Sequence, residues 1–305
     1  MRKLLILLAL TAVVALAGAC GSSEDEGSSG EKAQKPTAVE TVQVAYRETA
    51  AEQTAKTSFE VTTTAPLAGP ENAGQNQPMT FTMRGQGVVD FSGAASSMTT
   101  EMFGMGSFQM RQVEDTIYMK MPKDFVAQMP GAKPWVEMSL DDVHGQQPGA
   151  VPGQMQVGEA QDPTRQLEYL RSVSESVEKA GTAQVRGVRT TRYKAIVDLE
   201  KEAAGHGAEV QEAQDEVVKQ LGTSKLPVEV WLDDQNRIRR YALDMTLPVP
   251  ENAASPAASK KNATMRTQMV AEYYDFGTPV NVRTPPPDQT MDGSKLLSGQ
   301  QAVAQ

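Results

Sequence analysis

Few residues in this chain have the type and spacing for bond-making chemistry. The two histidines, His144 and His206, each stand beside glycine in a polar loop, and neither has a nucleophile near it in a recognisable motif. No GxSxG, HExxH, P-loop or dinucleotide fingerprint occurs. Carboxylates are paired at Asp141-Asp142 and at Asp233-Asp234. Such pairs can bind a metal or share a proton, but short Asx side chains also bond their own backbone, and turn chemistry accounts for both pairs. Sulfur is the more distinctive signal, because ten of the sixteen methionines fall between Met79 and Met138. Thioether side chains are flexible and polarizable, so they suit surfaces that accept variable apolar partners, though filling core gaps is their ordinary use. Met102/Met105 and Met119/Met121 are also close enough in sequence to hold a soft ion such as Cu(I), but histidine and cysteine co-ligands are lacking. The chain is therefore expected not to be an enzyme and to use no cofactor or metal.

The remaining reactive group is Cys20, the only cysteine. Arg2 and Lys3 precede an apolar run, Leu4 to Ala17, too short to span a bilayer as a mature helix. The run ends in Leu16-Ala17-Gly18-Ala19-Cys20, small residues before a cysteine, which looks like a bacterial lipobox with its leucine one place early. Residues 1–19 then read as a lipoprotein signal peptide and Cys20 as the lipidation site. Lipidation also removes a lone thiol that would otherwise invite pairing in an oxidising compartment. The expected location is the extracytoplasmic face of the cell membrane, held by the N-terminal lipid anchor. Residues 20–37, rich in Gly, Ser and acids, read as a flexible tether.

The charge balance narrows the partners. The chain has 29 basic and 38 acidic residues, and loss of Arg2 and Lys3 with the signal leaves 27 − 38 = −11. That argues against nucleic acid and against adhesion to anionic headgroups through a basic patch.

The elements that must position any site read mostly as strands. In Leu226–Met245, Val228, Val230 and Leu232 alternate with Glu229 and Trp231, the pattern of a half-buried strand. Asp233 to Asn236 form the turn, and the shift of apolar phase after Ile238 predicts a bulge near Arg239 and Arg240. This hairpin is expected in the middle of a sheet. Met79–Phe91 places Phe81, Met83, Gly85, Gly87, Val89 and Phe91 on one face. Strands are also predicted over 57–64, 97–103, 107–113, 116–121, 187–199 and 264–276. Lys133–Leu140 is placed at a sheet edge because Pro134 cannot sit mid-sheet. Helices are predicted from Thr37 to about Thr54, with Thr37 and Glu40 as a capping box, over Thr164–Ala180 ended by Gly181, and over Ala208–Leu221. Residues 143–163 and 248–262 have loop composition. Pro285-Pro286-Pro287 is expected to end the domain, leaving 288–305 as a mobile tail.

The segments VVDF (88–91), IYMKMP (117–122), KPWVEMSL (133–140), GVRTTRYKAIVD (187–198), LPVEVWLD (226–233) and DFGTPVNVRTPPP (275–287) together resemble the actinobacterial LppX/LprA/LprF/LprG lipoproteins. The resemblance covers residues 38–287. It implies an α+β fold: a strongly curved antiparallel sheet, a LolA-like half-barrel with helices on the concave face and an apolar cavity between them. It further implies binding of an acylated lipid or lipoglycan, for carriage or presentation at the cell envelope. Phe81, Met83, Gly85, Gly87, Val89, Phe91, Met119 and Met121 are the candidates to line that cavity. The competing reading is a non-enzymatic envelope interaction module with a closed core, which binds a protein or polymer through its surface.

Overall fold

The computed structural model describes residues 36–66, 78–102, 106–128, 131–140, 167, 169–173, 176–204, 207–248 and 263–293. Cys20, both histidines, Asp141-Asp142 and the loop 143–163 lie outside them, as do residues 249–262. Pro36–Gln305 forms one compact unit.

The chain enters through α1 (Ala38–Ala50), whose first turn is closed by the expected capping box. Glu40 N–H donates to Thr37 Oγ1 at 3.2 Å, and Thr37 N–H donates to Glu40 Oε2 at 2.7 Å. Each bond satisfies an amide that the helix itself leaves open. Strands β1 (Thr54–Ala65), β2 (Met79–Asp90), β3 (Ala95–Met102), β4 (Gly106–Val113) and β5 (Thr116–Lys120) then run as a meander. A short helix, α2 (Lys123–Gln128), leads into β6 (Trp135–Ser139). The second half contains β7 (Glu178–Val185), β8 (Val188–Asp198), α3 (Leu199–Ala203), α4 (Ala208–Leu221), β9 (Lys225–Leu232), β10 (Ile238–Pro248) and β11 (Thr264–Tyr274). A three-residue strand, β12 (Thr290–Asp292), closes the described chain.

All twelve strands join one open, curled sheet in the order β12-β6-β5-β4-β3-β2-β1-β11-β10-β9-β8-β7. Only β12 with β6 is parallel. The first and last long strands meet, Lys56 opposite Tyr274 through Thr64 opposite Arg266, and this seam joins the two halves. One face is apolar. Thr57, Phe59 and Val61 of β1 lie in register with Tyr273, Ala271 and Met269 of β11 at alternate positions, all buried, and Ala55 continues the same face. Val228 and Val230 of β9 continue that face beside Tyr241 and Leu243 of β10. Onto it pack α1 and the segment Leu167–Val173, whose Leu167, Leu170 and Val173 are fully buried in the same core as Val42 and Ala45.

The central hairpin forms as its pattern indicates, with β9 between β8 and β10. Leu232 faces Ile238, Trp231 faces Arg240, and the register slips between them, so Arg239 is the bulged residue. The Ile238 amide is then free of the ladder and donates to Thr49 Oγ1 at 2.9 Å, which pins the end of α1 to the start of β10.

Four expectations need correction. Thr164–Ala180 is not one helix: Tyr169–Ser172 is a single 3-10 turn, and Glu178 already belongs to β7. Gly181 does not end a helix. It sits inside β7 at φ +99°, where the register with β8 slips between Lys179 and Thr182. Residues 133–140 are not an edge strand, since β12 covers the far side of β6, and Pro134 lies just before its first residue. The proline run does not end the fold either, because residues 287–293 turn back to place β12 on the sheet and Gly293 N–H on the Glu137 carbonyl at 2.8 Å.

Candidate functional site

The predicted cavity residues share a face through the strand registers. Phe81, Met83, Gly85, Gly87 and Val89 stand opposite Thr63, Val61, Phe59, Thr57 and Ala55 of the apolar face. From Gly87 the register runs to Met98, Met110, Met119, Val136 and Met291, one residue from each of six neighbouring strands. A second row joins Ser96, Gln112, Ile117 and Met138. Three of the clustered methionines, Met98, Met110 and Met119, thus form a row of thioethers across β3, β4 and β5, and Met291 of β12 extends it beyond Val136. Phe91, just past β2, packs against Tyr273 at 6.0 Å between ring centroids, and Met121 follows β5 with its N–H on the Pro134 carbonyl at 2.9 Å.

These residues differ in how much room they leave. Val89 and Phe91 are packed core. The volume missing at the two glycines is taken by their neighbours. A Cβ at Gly85 would fall 2.2 Å from Phe59 Cε1, and one at Gly87 would fall 2.0 Å from the Ser97 carbonyl oxygen and 2.5 Å from Met98 Sδ. The glycines therefore admit the Phe59 ring and Met98 rather than leaving a hollow at their own positions. Gly85→Ala is expected to destabilise the unit by about 1–3 kcal/mol, the range for overpacking a filled core, as read from a thermal or denaturant transition. Met83, Met119 and Met121 are half-buried, and Phe81 is 42% exposed. The accessible part of the face therefore lies at its β2 start and its β5 end. Met98, Met110, Ile117 and Val136, buried between them, supply an apolar floor.

The opposite face is paved with charge. Glu272 takes hydrogen bonds from Arg186 and Arg240, and Glu229 takes two from Arg192. Burial pushes the Glu272 carboxyl up, but the Arg240 and Arg186 guanidinium groups outweigh it and hold the carboxyl below its ordinary value. Arg192 and Arg240 flank the Trp231 ring, each 5.4 Å from its centroid. Two open hollows of about 700 and 650 Å³ lie on this face and meet at Val270. Ile196, Ala242 and Val270 floor the larger one, with Glu178, Lys194 and Asp244 around it. The sequence reading did not find them, since small and β-branched residues on the charged phase of these strands carry no motif.

Asp233 is a structural hub. It receives the backbone N–H groups of Gln235 and Arg237 at 3.0 Å and the Nε groups of Arg237 and Arg239 at 2.9 and 2.8 Å. Arg237 reaches on to Glu52 at 2.8 Å, and both arginines lie over the Phe276 ring. Among the described residues no three His, Cys, Asp or Glu side chains gather as a metal site, and no helix is long and apolar enough to cross a membrane.

The arrangement defines an open antiparallel sheet with helices on its apolar face and an ion-paired outer face. Neither a family model nor a curated protein matches the sequence. Among solved structures the chain is similar to the lipoprotein LppX of Mycobacterium tuberculosis, at 14% identity and a TM-score of 0.42, over 79% of this chain and 98% of that one. It is similar also to LprF of Mycobacterium bovis, at 12% identity and a TM-score of 0.41, over 81% and 96% of the two chains. A putative outer membrane lipoprotein-sorting protein domain from Vibrio parahaemolyticus aligns at 8% identity and a TM-score of 0.24, over 80% and 93%.

Proposed function

We propose that this chain is a lipid-anchored extracytoplasmic protein that holds an acylated lipid or lipoglycan against the methionine-rich half of its apolar face, for carriage or presentation at the cell envelope. The row Met98–Met110–Met119–Val136–Met291 carries this reading. It is apolar, it runs across the strands, and beyond Met98 it stands outside the contiguous core. Unbranched thioether side chains accommodate acyl chains of differing length and unsaturation. Each CH₂ buried there contributes about 0.8 kcal/mol, so binding needs no charged contact. The test is native mass spectrometry of the Pro36–Gln305 unit purified from a lipid-containing host. Bound lipid is expected, and Met119→Asp is expected to remove it while moving the melting midpoint by only a few degrees, since Met119 is half-buried. Protein that is empty from several hosts and takes up no added diacyl lipid would sink the proposal. The two hollows of the outer face would then favour the interaction module.

The anchor is tested separately. Cys20→Ala is expected to move the protein from the membrane to the soluble fraction, because several acyl chains hold a protein where a single chain binds only reversibly. Retention as firm as that of the wild type would remove Cys20 as the anchor.

A further inference from the structure

Trp231 stands on the charged phase of β9, in one row with Arg192, Arg240, Glu272 and Ser58 on the neighbouring strands. It is nevertheless only 8% exposed, and it lies outside the contiguous core. Val185 and Thr190, at 1% and 2%, are buried on the same phase, since Thr190 precedes Arg192 by two residues and Val185 faces Val188. Val185 too is outside the core. A side chain on the outer phase is buried only if something crosses the outer face.

The β7–β8 hairpin supplies the crossing. Its β8 strand pairs with β9 only from Thr191 onward, so Val188–Thr190 and their partners Ala183–Val185 overhang the sheet. A straight overhang would carry the turn residue Arg186 roughly 16 Å past the row of Trp231. Instead Arg186 donates from Nε to Glu272 Oε2 at 2.7 Å and from Nη2 to Ser58 Oγ at 2.9 Å, and its Cζ lies 3.8 Å from the centroid of the Tyr274 ring. Glu272 and Ser58 belong to β11 and β1, three and four strands from β8. No arginine side chain spans that many strands at about 4.8 Å each, so the overhang bends back across the outer face. The bend has a hinge on both strands. On β7 the register slips between Lys179 and Thr182, leaving Ala180 and Gly181 against Arg192 alone, and Gly181 sits at φ +99° with open space where a Cβ would be. On β8 the ladder to β9 ends at Thr191, one residue from the same row.

We propose that residues 182–190 form a strap, hinged at Gly181 and Thr191 and clasped by Arg186, that opens as a unit and uncovers Trp231. The clasp is built to release. Arg186 is already 43% exposed, and Glu272 keeps both hydrogen bonds from Arg240 when Arg186 leaves, so opening strands no buried carboxylate. Val185 and Trp231 form a small apolar layer of their own, so opening leaves the core on the other face intact. The strap also controls the outer hollows. Ser58, Arg240 and Glu272 wall the smaller one, and Glu178 and Lys194, at the root of the strap, line the larger. Closed, the outer face is ion-paired throughout. Open, it offers an indole ring between two guanidinium groups. The inference depends on neither the cargo nor the anchor.

The experiment is fluorine NMR of the full chain labelled with fluorotryptophan. The chain has two tryptophans, so two signals arise, and Trp231→Phe identifies which is which. Trp135 is buried on distant β6 and serves as the internal control. In the wild type the Trp231 signal is expected to show microsecond-to-millisecond exchange broadening that the Trp135 signal lacks, the timescale of a hinged segment. Arg186→Ala removes the clasp. It is expected to move the Trp231 signal towards that of free fluorotryptophan and to raise its shift between light and heavy water from almost none to most of the free value. The Trp135 signal is expected to stay in place. A Trp231 signal that remains solvent-shielded in Arg186→Ala overturns the clasp. Movement of both signals together means general loosening of the unit, and it overturns the strap as a separate element. A wild-type Trp231 signal without exchange broadening at any temperature below the melt makes the hairpin a fixed cover, and that too overturns the proposal.

Discussion

Val230→Asp is expected to abolish the cooperative unfolding transition of the Pro36–Gln305 unit, or to leave a chain that melts far below the wild type. Val230 is fully buried on β9, between Tyr193 of β8 and Tyr241 of β10. Both tyrosines offer mainly ring carbon there, and burial pushes each phenol above its ordinary value, the mark of an environment that stabilises charge poorly. An aspartate in that place must stay charged without a partner or bind a proton, and either course costs several kcal/mol against a total stability of roughly 5–15 kcal/mol. Circular dichroism with thermal or urea unfolding reads the result. A transition as steep and as high as that of the wild type would mean that β9 is not central to the core.

The second large effect is expected at Asp233. Its side chain is 4% exposed and joins two guanidinium groups to two backbone amides. Asp233→Ala removes the acceptor and leaves Arg237 and Arg239 half-buried, with only Glu52 among these carboxylates still in reach. Breaking a buried pair from one side costs about 3–5 kcal/mol, which for a unit of this size lowers the midpoint on the order of 10 °C. Asp233→Asn keeps the volume but turns a donor towards the guanidinium groups, and it is expected to lose most of the same stability.

The sign of the pH effect follows from the same contacts. Burial alone would raise the Asp233 carboxyl, but the arginine and backbone hydrogen bonds outweigh it and leave its folded-state pKa lowered. A depressed carboxyl contributes its full stabilisation above its unfolded value of about 3.9 and loses it as pH falls through the folded value. Between neutral pH and about pH 5 the contribution is therefore flat, and it declines below that. The acid limb of the stability curve should become shallower in Asp233→Ala, and an unchanged limb would assign acid sensitivity to other carboxylates.

Local chemistry made much of this fold legible before any coordinates. The Thr37/Glu40 box is written in two side chains that satisfy each other's backbone, so neither depends on distant contacts. The bulge at Arg239 is written in the slip from period two to three after Ile238. The chain over Leu167–Val173 was misread for a related reason. Leu167, Leu170 and Val173 recur every three residues, which one 3-10 turn meets as well as an α-helix does. Nothing local shows that β8 offers the following residues a partner strand from Glu178 onward. Pro134 misled in the same way, since whether a strand is an edge depends on a neighbour more than a hundred residues away. For the candidate site, the sequence showed which residues of β2 share a face but not what fills it. Phe59 and Met98 occupy the space at Gly85 and Gly87 from neighbouring strands, and the registers that bring them there are non-local.

The seam between the first and last long strands has a consequence for how quickly this molecule can assemble. Lys56 pairs with Asp275 at 2.9 Å across a separation of 219 positions, and the whole β1–β11 ladder spans a similar length of chain. The meander from β2 to β5 and the β9–β10 hairpin need only short loops, so their closure entropy is small. The seam cannot form until nearly the entire chain is present, and a topology dominated by such distant pairs crosses its folding barrier slowly, in milliseconds to seconds or longer. Until then the outer edge of β1 is an unpaired strand backed by Phe59 and Val61, the segment most exposed to pairing with another chain.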